Sequence, residues 1–349
     1  MKKTLIIAAK VLIVAIVAYF VRDSLAKAWR QIGEHPWPID PLWLVLSGAI
    51  YLAGLLPAGW FWHHILKTLG QEAGLGKTLL AYYIGHLGKY VPGKAMVVIL
   101  RTGLIRSHRV DTKLAVVSVF YETLTMMAVG SFLAAGILAF RLHEERTMFW
   151  GSIAFMLLAG LPTLPPIFRL LLRVMRISPR PLAGTTKWSG VRAEERISPR
   201  PLGEGPGVRA EAEKKQDDAN NFPQIKNLTY KTLAIGWLSM LLVWAGMAAS
   251  LWAVFRSLGL PDCELVGRFP DYTAAVSLSV VAGFLAFIPG GLGVRDMILA
   301  VLLVRLFQIA DAPAALASGL LRLVWLLAEL IVFGVLYPIR LKSRQKKEN

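Results

Sequence analysis

Apolar residues run together for the length of a membrane span at 4–21, 42–62, 114–140, 148–171, 231–255 and 314–338. About 20 such residues in a helix cross roughly 30 Å of hydrocarbon, so each run predicts a transmembrane helix. Two further apolar regions, 78–100 and 272–308, are broken in mid-course. The first contains GHLGKYVPGKAMVVILR (85–101) and the second VAGFLAFIPGGLGVRDMILA (281–300). In both, Pro-Gly interrupts the run and basic residues follow. Broken backbone at membrane depth is tolerated only where protein buries it or a polar cavity receives it.

A polar stretch, 173–229, divides the chain. It holds ISPRPLAGTTKWSGVRAEE (177–195) and its near-duplicate ISPRPLGEGPGVRAEAE (197–213). Pro, Gly, Arg and Glu dominate there, and nothing could bury a core, so the stretch reads as a disordered cytosolic loop. The expected organisation is a first membrane half (1–172), this loop (173–229) and a second membrane half (230–349).

Orientation follows from Lys and Arg in the short loops. With the N-terminus inside, Lys2, Lys3, Lys67, Lys77, Arg101, Arg106, Arg109, Lys113 and the basic tail RLKSRQKKEN all fall on the cytosolic side. Fewer fall outside, in 22–40, 141–146 and 256–271. The assignment requires 78–100 to enter and leave on the cytosolic side and 272–308 on the outer side. The first region, too short for two spans, predicts a re-entrant hairpin. The second fits either a hairpin or two short spans. The expected fold class is therefore an all-α polytopic membrane protein, with about six full spans and two re-entrant Pro/Gly-broken segments in an inverted repeat. Paired broken segments of that kind mark the substrate site of a transporter.

Composition agrees: 55% hydrophobic and 17% charged residues, with mean hydropathy +0.53, exclude an ordinary soluble domain. The net charge of +17 has no basic-aromatic motif beside it. It reads as positive-inside bias and attraction to anionic lipid rather than as nucleic-acid binding. Cys263, the one cysteine, allows no internal disulfide. MKKTLIIAAKVLIVAIVAYF is expected to be an uncleaved signal-anchor, with Lys10 snorkelling to the interface. These features place the protein in the cell inner (plasma) membrane, multi-pass, with both termini cytosolic.

The candidate chemistry gathers at the two breaks. GKYVPGK supplies Lys89, Tyr90, Pro92, Gly93 and Lys94, cations beside freed backbone N–H groups, a combination suited to phosphate. PGGLGVRD supplies Pro289, Gly290, Gly291, Gly293, Arg295 and Asp296, in which Arg295 suits a phosphate and Asp296 could instead neutralise Arg295. Glu122 and Glu329 stand inside expected spans, where a charge costs roughly 2.5–3.5 kcal/mol, so each should face a partner or a wet cavity. Arg322, seven residues before Glu329, shares its helix face. His86 has no second ligand-like residue nearby, and neither a metal nor a cofactor is expected. GQEAGLGKT (70–78) imitates a P-loop, but Gly70 and Gly76 enclose five residues where four are required. No HExxH and no GxSxG occurs, so the protein is not expected to be an enzyme.

The pair GKYVPGK and FIPGGLGVRD, in this order among about eight membrane segments, resembles the lysylphosphatidylglycerol synthase transmembrane-region family of flippase-like proteins. The likeness covers nearly the whole chain except 173–229. That family often has Glu after the Val-Arg of its second motif, where this chain has the shorter Asp296; Tyr121 and Glu122 resemble its acidic position in the following span. The resemblance implies movement of a phospholipid between leaflets. Without a soluble aminoacyl-transferase domain, lysine transfer is not expected. The sequence thus predicts a flippase-like protein that binds an anionic membrane lipid or lipid-linked headgroup and translocates it. Lys89, Lys94 and Arg295 would hold the phosphate. The rival readings are a membrane-embedded enzyme or accessory subunit of lipid-linked sugar metabolism, and a secondary transporter of small solutes. Whether the protein forms a homo-oligomer stays open.

Overall fold

Asp40 and Pro41 start the first long helix, α1 (Pro41–Thr68): the Asp40 carboxylate accepts from Leu42 N at 2.9 Å, and Pro occupies a position whose N–H would be unpaired anyway. The computed structural model describes residues 38–91, 95–107, 109–141, 150, 153–154, 156, 160–174, 223–260, 264–286, 289–291 and 293–348. After α1 come α2 (Leu75–His86), a 3₁₀ turn (Leu87–Tyr90), α3 (Ala95–Ile105), α4 (Thr112–Arg141) and the short α5 (Pro165–Val174). The second half has α6 (Tyr230–Ser257), α7 (Leu265–Leu285), a 3₁₀ turn (Pro289–Gly291), α8 (Val294–Phe307) and α9 (Asp311–Glu348).

The halves join through α1 and α6, which lie antiparallel along their full length. Asp40 N donates to Ser257 O (2.8 Å) at one end, Ser47 Oγ to Ser250 O (2.8 Å) further in, and Asn227 Nδ2 to Thr68 O (3.2 Å) at the other end. At the crossing Gly54 meets Gly246; a Cβ on Gly246 would stand 2.7 Å from Gly54 Cα. With lipid outside there is little hydrophobic drive between helices, so such close backbone packing is what joins them.

Each half then carries a broken hairpin. In the first, Lys77 Nζ reaches Ile105 O (3.5 Å) at the open end, while Gly85 lies against Arg101 and Gly88 against Val97 near the turn. These pairs establish an antiparallel return. The limbs have 12 and 11 residues, about 18 and 16 Å, too short to cross. In the second, Arg268 Nη1 donates to Leu306 O (3.1 Å), Tyr272 packs on Phe307, and Gly283 lies against Arg295. The region 272–308 therefore also turns back on itself, as an antiparallel pair of unequal limbs: Leu265–Leu285, with 21 residues and about 31 Å, is long enough to cross, and Val294–Phe307 has 14 residues. Because α1 and α6 run in opposite directions, the hairpins that follow them enter from opposite faces. Each packs across the join: α2 against α9, and α7 against α4. That exchange is an inverted repeat.

Among the described residues, four helices are long and apolar enough to span: Pro41–Thr68, Thr112–Arg141, Tyr230–Ser257 and the Asp311–Pro338 part of α9. They coincide with four of the expected spans. The expected span 4–21 and Cys263 lie outside the described residues. The expected span 148–171 is corrected where it is described, because a 3₁₀ turn at Leu161–Thr163 precedes α5, and Pro162, Pro165 and Pro166 lack the N–H groups a continuous helix needs. The expected loop 173–229 lies mostly outside the described residues, and its last residues, 223–229, are described. Pro223–Asn227 forms a 3₁₀ turn, Ile225 and Leu228 are buried, and Arg169 Nη2 donates to Leu228 O (2.8 Å). Several charges assigned to loops prove to be helical, and two of them are drawn into pairing inside the bundle. Arg268 belongs to α7 and shares Asp271 with Arg141, while Arg101 belongs to α3 and is buried.

Candidate functional site

The two turns meet inside the bundle. Gly290 (φ 58°) and Gly291 (φ 67°) adopt left-handed backbone that disfavours side chains, and Tyr90 fills the space a Cβ on Gly290 would need. The second turn is fastened to α9: Arg322 donates to Asp296 Oδ2 and, at 3.2 Å, to Gly290 O, while Ser318 Oγ donates to Asp296 O (3.0 Å). Asp296 also accepts from Gly293 N (3.4 Å), which caps α8. The first turn is fastened to the same helix two turns further on. There Glu329 Oε1 accepts from Lys89 Nζ (2.5 Å) and from Tyr51 OH. His86 Nε2 lies 3.2 Å from that phenol oxygen.

A third group bridges α3 and α4. Arg101 Nη1 donates to Glu122 Oε2 at 2.7 Å, and Tyr82 OH to Glu122 Oε1 at 3.3 Å. The guanidinium lies 3.9 Å from the Tyr82 ring centroid, a cation–π contact. Arg101 and Glu122 are 3% and 1% exposed, so this is a fully buried pair.

Arg295 differs from these. It is 8% exposed and lies 4.3 Å above the Trp325 ring, which in turn stacks on Tyr51. Among the described residues no carboxylate comes within ion-pair range of it. Arg295 faces a cavity of about 380 Å³, within the usual size of a small-ligand site. Lys89, Arg101 and Glu122 share that cavity's wall, which is otherwise mostly apolar. Phe120 also lines it and is 40% exposed on the outer face of α4, so the cavity reaches the side of the bundle.

Of the residues singled out from sequence, Lys89, Glu122, Gly290, Gly291 and Arg295 line the cavity. Tyr90, Asp296, Arg322 and Glu329 stand behind its wall and hold the turns; Pro289 opens the second turn, and Gly293 begins α8. Pro92, Gly93 and Lys94 lie outside the described residues. The suggestion that Asp296 neutralises Arg295 is corrected, since Asp296 pairs with Arg322. Neighbours in a helix diverge by about 100° and do not face each other. Sequence reasoning missed Arg101, Tyr51, Tyr82 and Trp325. The signal for Arg101 was Glu122 itself, a carboxylate within a span that required a cation.

The fold and site define a multi-pass α-helical membrane protein whose two opposed hairpins enclose a charged, laterally reaching cavity. The chain belongs to the family described as the lysylphosphatidylglycerol synthase TM region, whose model matches residues 7–332, a range that includes both hairpins. No curated protein matches it.

Proposed function

We propose that this protein is a non-enzymatic, flippase-like carrier of an anionic phospholipid or lipid-linked phosphate, resident in the cell inner (plasma) membrane with both termini cytosolic. The observation that carries the reading is Arg295, a buried cation without a carboxylate, facing an apolar cavity. An uncompensated charge in such surroundings is costly, and a lipid phosphate arriving from the bilayer would offset that cost through bidentate hydrogen bonding. Phe120 supports lateral entry over a sealed small-solute path. The family name, with its phospholipid, points the same way.

Reconstituted vesicles carrying fluorescent phosphatidylglycerol test this by dithionite quenching of the outer leaflet. The protein should accelerate exchange between leaflets. Arg295→Ala should slow it about tenfold or more, whereas Arg106→Ala, at an exposed position, should leave it unchanged. Equal rates in all three proteins, or none above protein-free vesicles, would overturn the reading.

A further inference from the structure

The buried charges at the hairpin turns can be matched one by one. Lys89 pairs with Glu329, Arg101 with Glu122, and Arg322 with Asp296. Arg295 is left over. The turn residues outside the description, 92–94, 287–288 and 292, contain no carboxylate. Among the described residues, Arg295 is thus the turn cation without a carboxylate, and it faces the cavity; Lys94, outside the description, adds a further positive charge to the first break.

Of the two carboxylates that a cationic headgroup would seek, one is engaged at both oxygens and the other lies behind the cavity wall. Glu122, on the cavity wall, accepts from Arg101 and Thr123 at one oxygen and from Tyr82 at the other. Glu329 is 3% exposed and lies behind the wall; its Oε1 receives Lys89 and Tyr51, while its Oε2, with no hydrogen-bond partner among the described residues, is buried away from the cavity. An incoming amine would have to displace a buried arginine or lysine, or remain beside them as a like charge.

We infer that the cavity selects a net-negative lipid, a phosphodiester whose headgroup is uncharged and hydroxylic, and disfavours aminoacylated or zwitterionic headgroups. This deepens the reading above and rests on it: the phosphate meets Arg295, and the headgroup beyond it carries no amine. The ligand chemistry differs from the cationic lipid in the family's name.

The test uses the full chain purified in detergent and measures thermal unfolding and retained lipid by native mass spectrometry. The probes are phosphatidylglycerol, phosphatidylethanolamine, lysylphosphatidylglycerol and water-soluble glycerol 3-phosphate. Phosphatidylglycerol should raise the unfolding midpoint and be retained at least tenfold over the two amine-bearing lipids. Glycerol 3-phosphate should not compete, because it lacks the acyl chains that fill the apolar wall. Arg295→Met should abolish the selective shift while changing the lipid-free midpoint little, since it removes a charge that had no carboxylate partner and keeps an apolar contact with Trp325; Arg295→Lys should recover part of the selectivity. Equal or better retention of lysylphosphatidylglycerol, still dependent on Arg295, would overturn the headgroup inference and leave the phosphate site standing. Displacement by glycerol 3-phosphate as effective as by lipid would overturn the assignment to a lipid. No Arg295-dependent retention of any probe would overturn this inference and the lipid reading together.

Discussion

Replacing Glu122 by Gln keeps the side chain's size and removes its charge, leaving Arg101 buried and positive with no carboxylate. The native pair sits at 2.7 Å, with the two side chains 4% and 1% exposed. Unit charges about 4 Å apart attract by about 4 kcal/mol at an effective dielectric of about 20, and breaking buried pairs typically costs about 3–5 kcal/mol. Glu122→Gln should therefore lose about 3 kcal/mol of unfolding free energy. The double variant Arg101→Met/Glu122→Leu removes both charges in roughly conserved volume and should return to within about 1.5 kcal/mol of the parent. Arg109–Glu72 supplies the comparison: its distance is 2.9 Å, but the side chains are 65% and 67% exposed. Glu72→Gln should cost less than about 1 kcal/mol, because water screens that pair. Reversible unfolding in mixed micelles, analysed as a double-mutant cycle, gives all the values. The argument fails if Glu122→Gln lies within 1 kcal/mol of the parent, on the order of a surface pair. It also fails if the double variant is as unstable as the single one.

Two further outcomes test the architecture. Gly246→Leu should destabilise by about 3 kcal/mol, since its side chain would enter the Gly54 backbone, whereas Gly136→Leu, with open space around it, should be nearly neutral; the same unfolding assay reports both. In a Cys263→Ser background, Glu72→Cys and Glu264→Cys should react with an impermeant thiol reagent from opposite sides of the membrane, and labelling from one side would refute the opposed hairpins.

The long helices and the first hairpin were legible because each is written locally, as an apolar run of span length or a short one cut by Pro-Gly; 272–308 was legible only as a hairpin or two short spans. Lys89, Glu122 and Arg295 were legible because a charge inside such a run demands an explanation. Their partners were not. Lys89 and Glu329 are 240 positions apart, and only the exchange of hairpins between halves brings them together. Arg101 closes an apolar run, where a cation usually marks the membrane edge. Only the antiparallel return of α3 on α2 draws it inward. Tyr51 and Trp325, inside continuous apolar stretches, carry no local sign that they would face charges.

The attachment of both turns to α9 has a mechanical consequence. Arg322 and Glu329 are seven residues apart, about 10.5 Å along one rigid rod. One grips the hairpin from one membrane face and the other grips its counterpart. A sliding or rolling step of that rod would pull on both hairpins at once, as a single shaft drives two valves. The bundle thus has a built-in linkage between its two hairpin turns, with the points of attachment two helical turns apart.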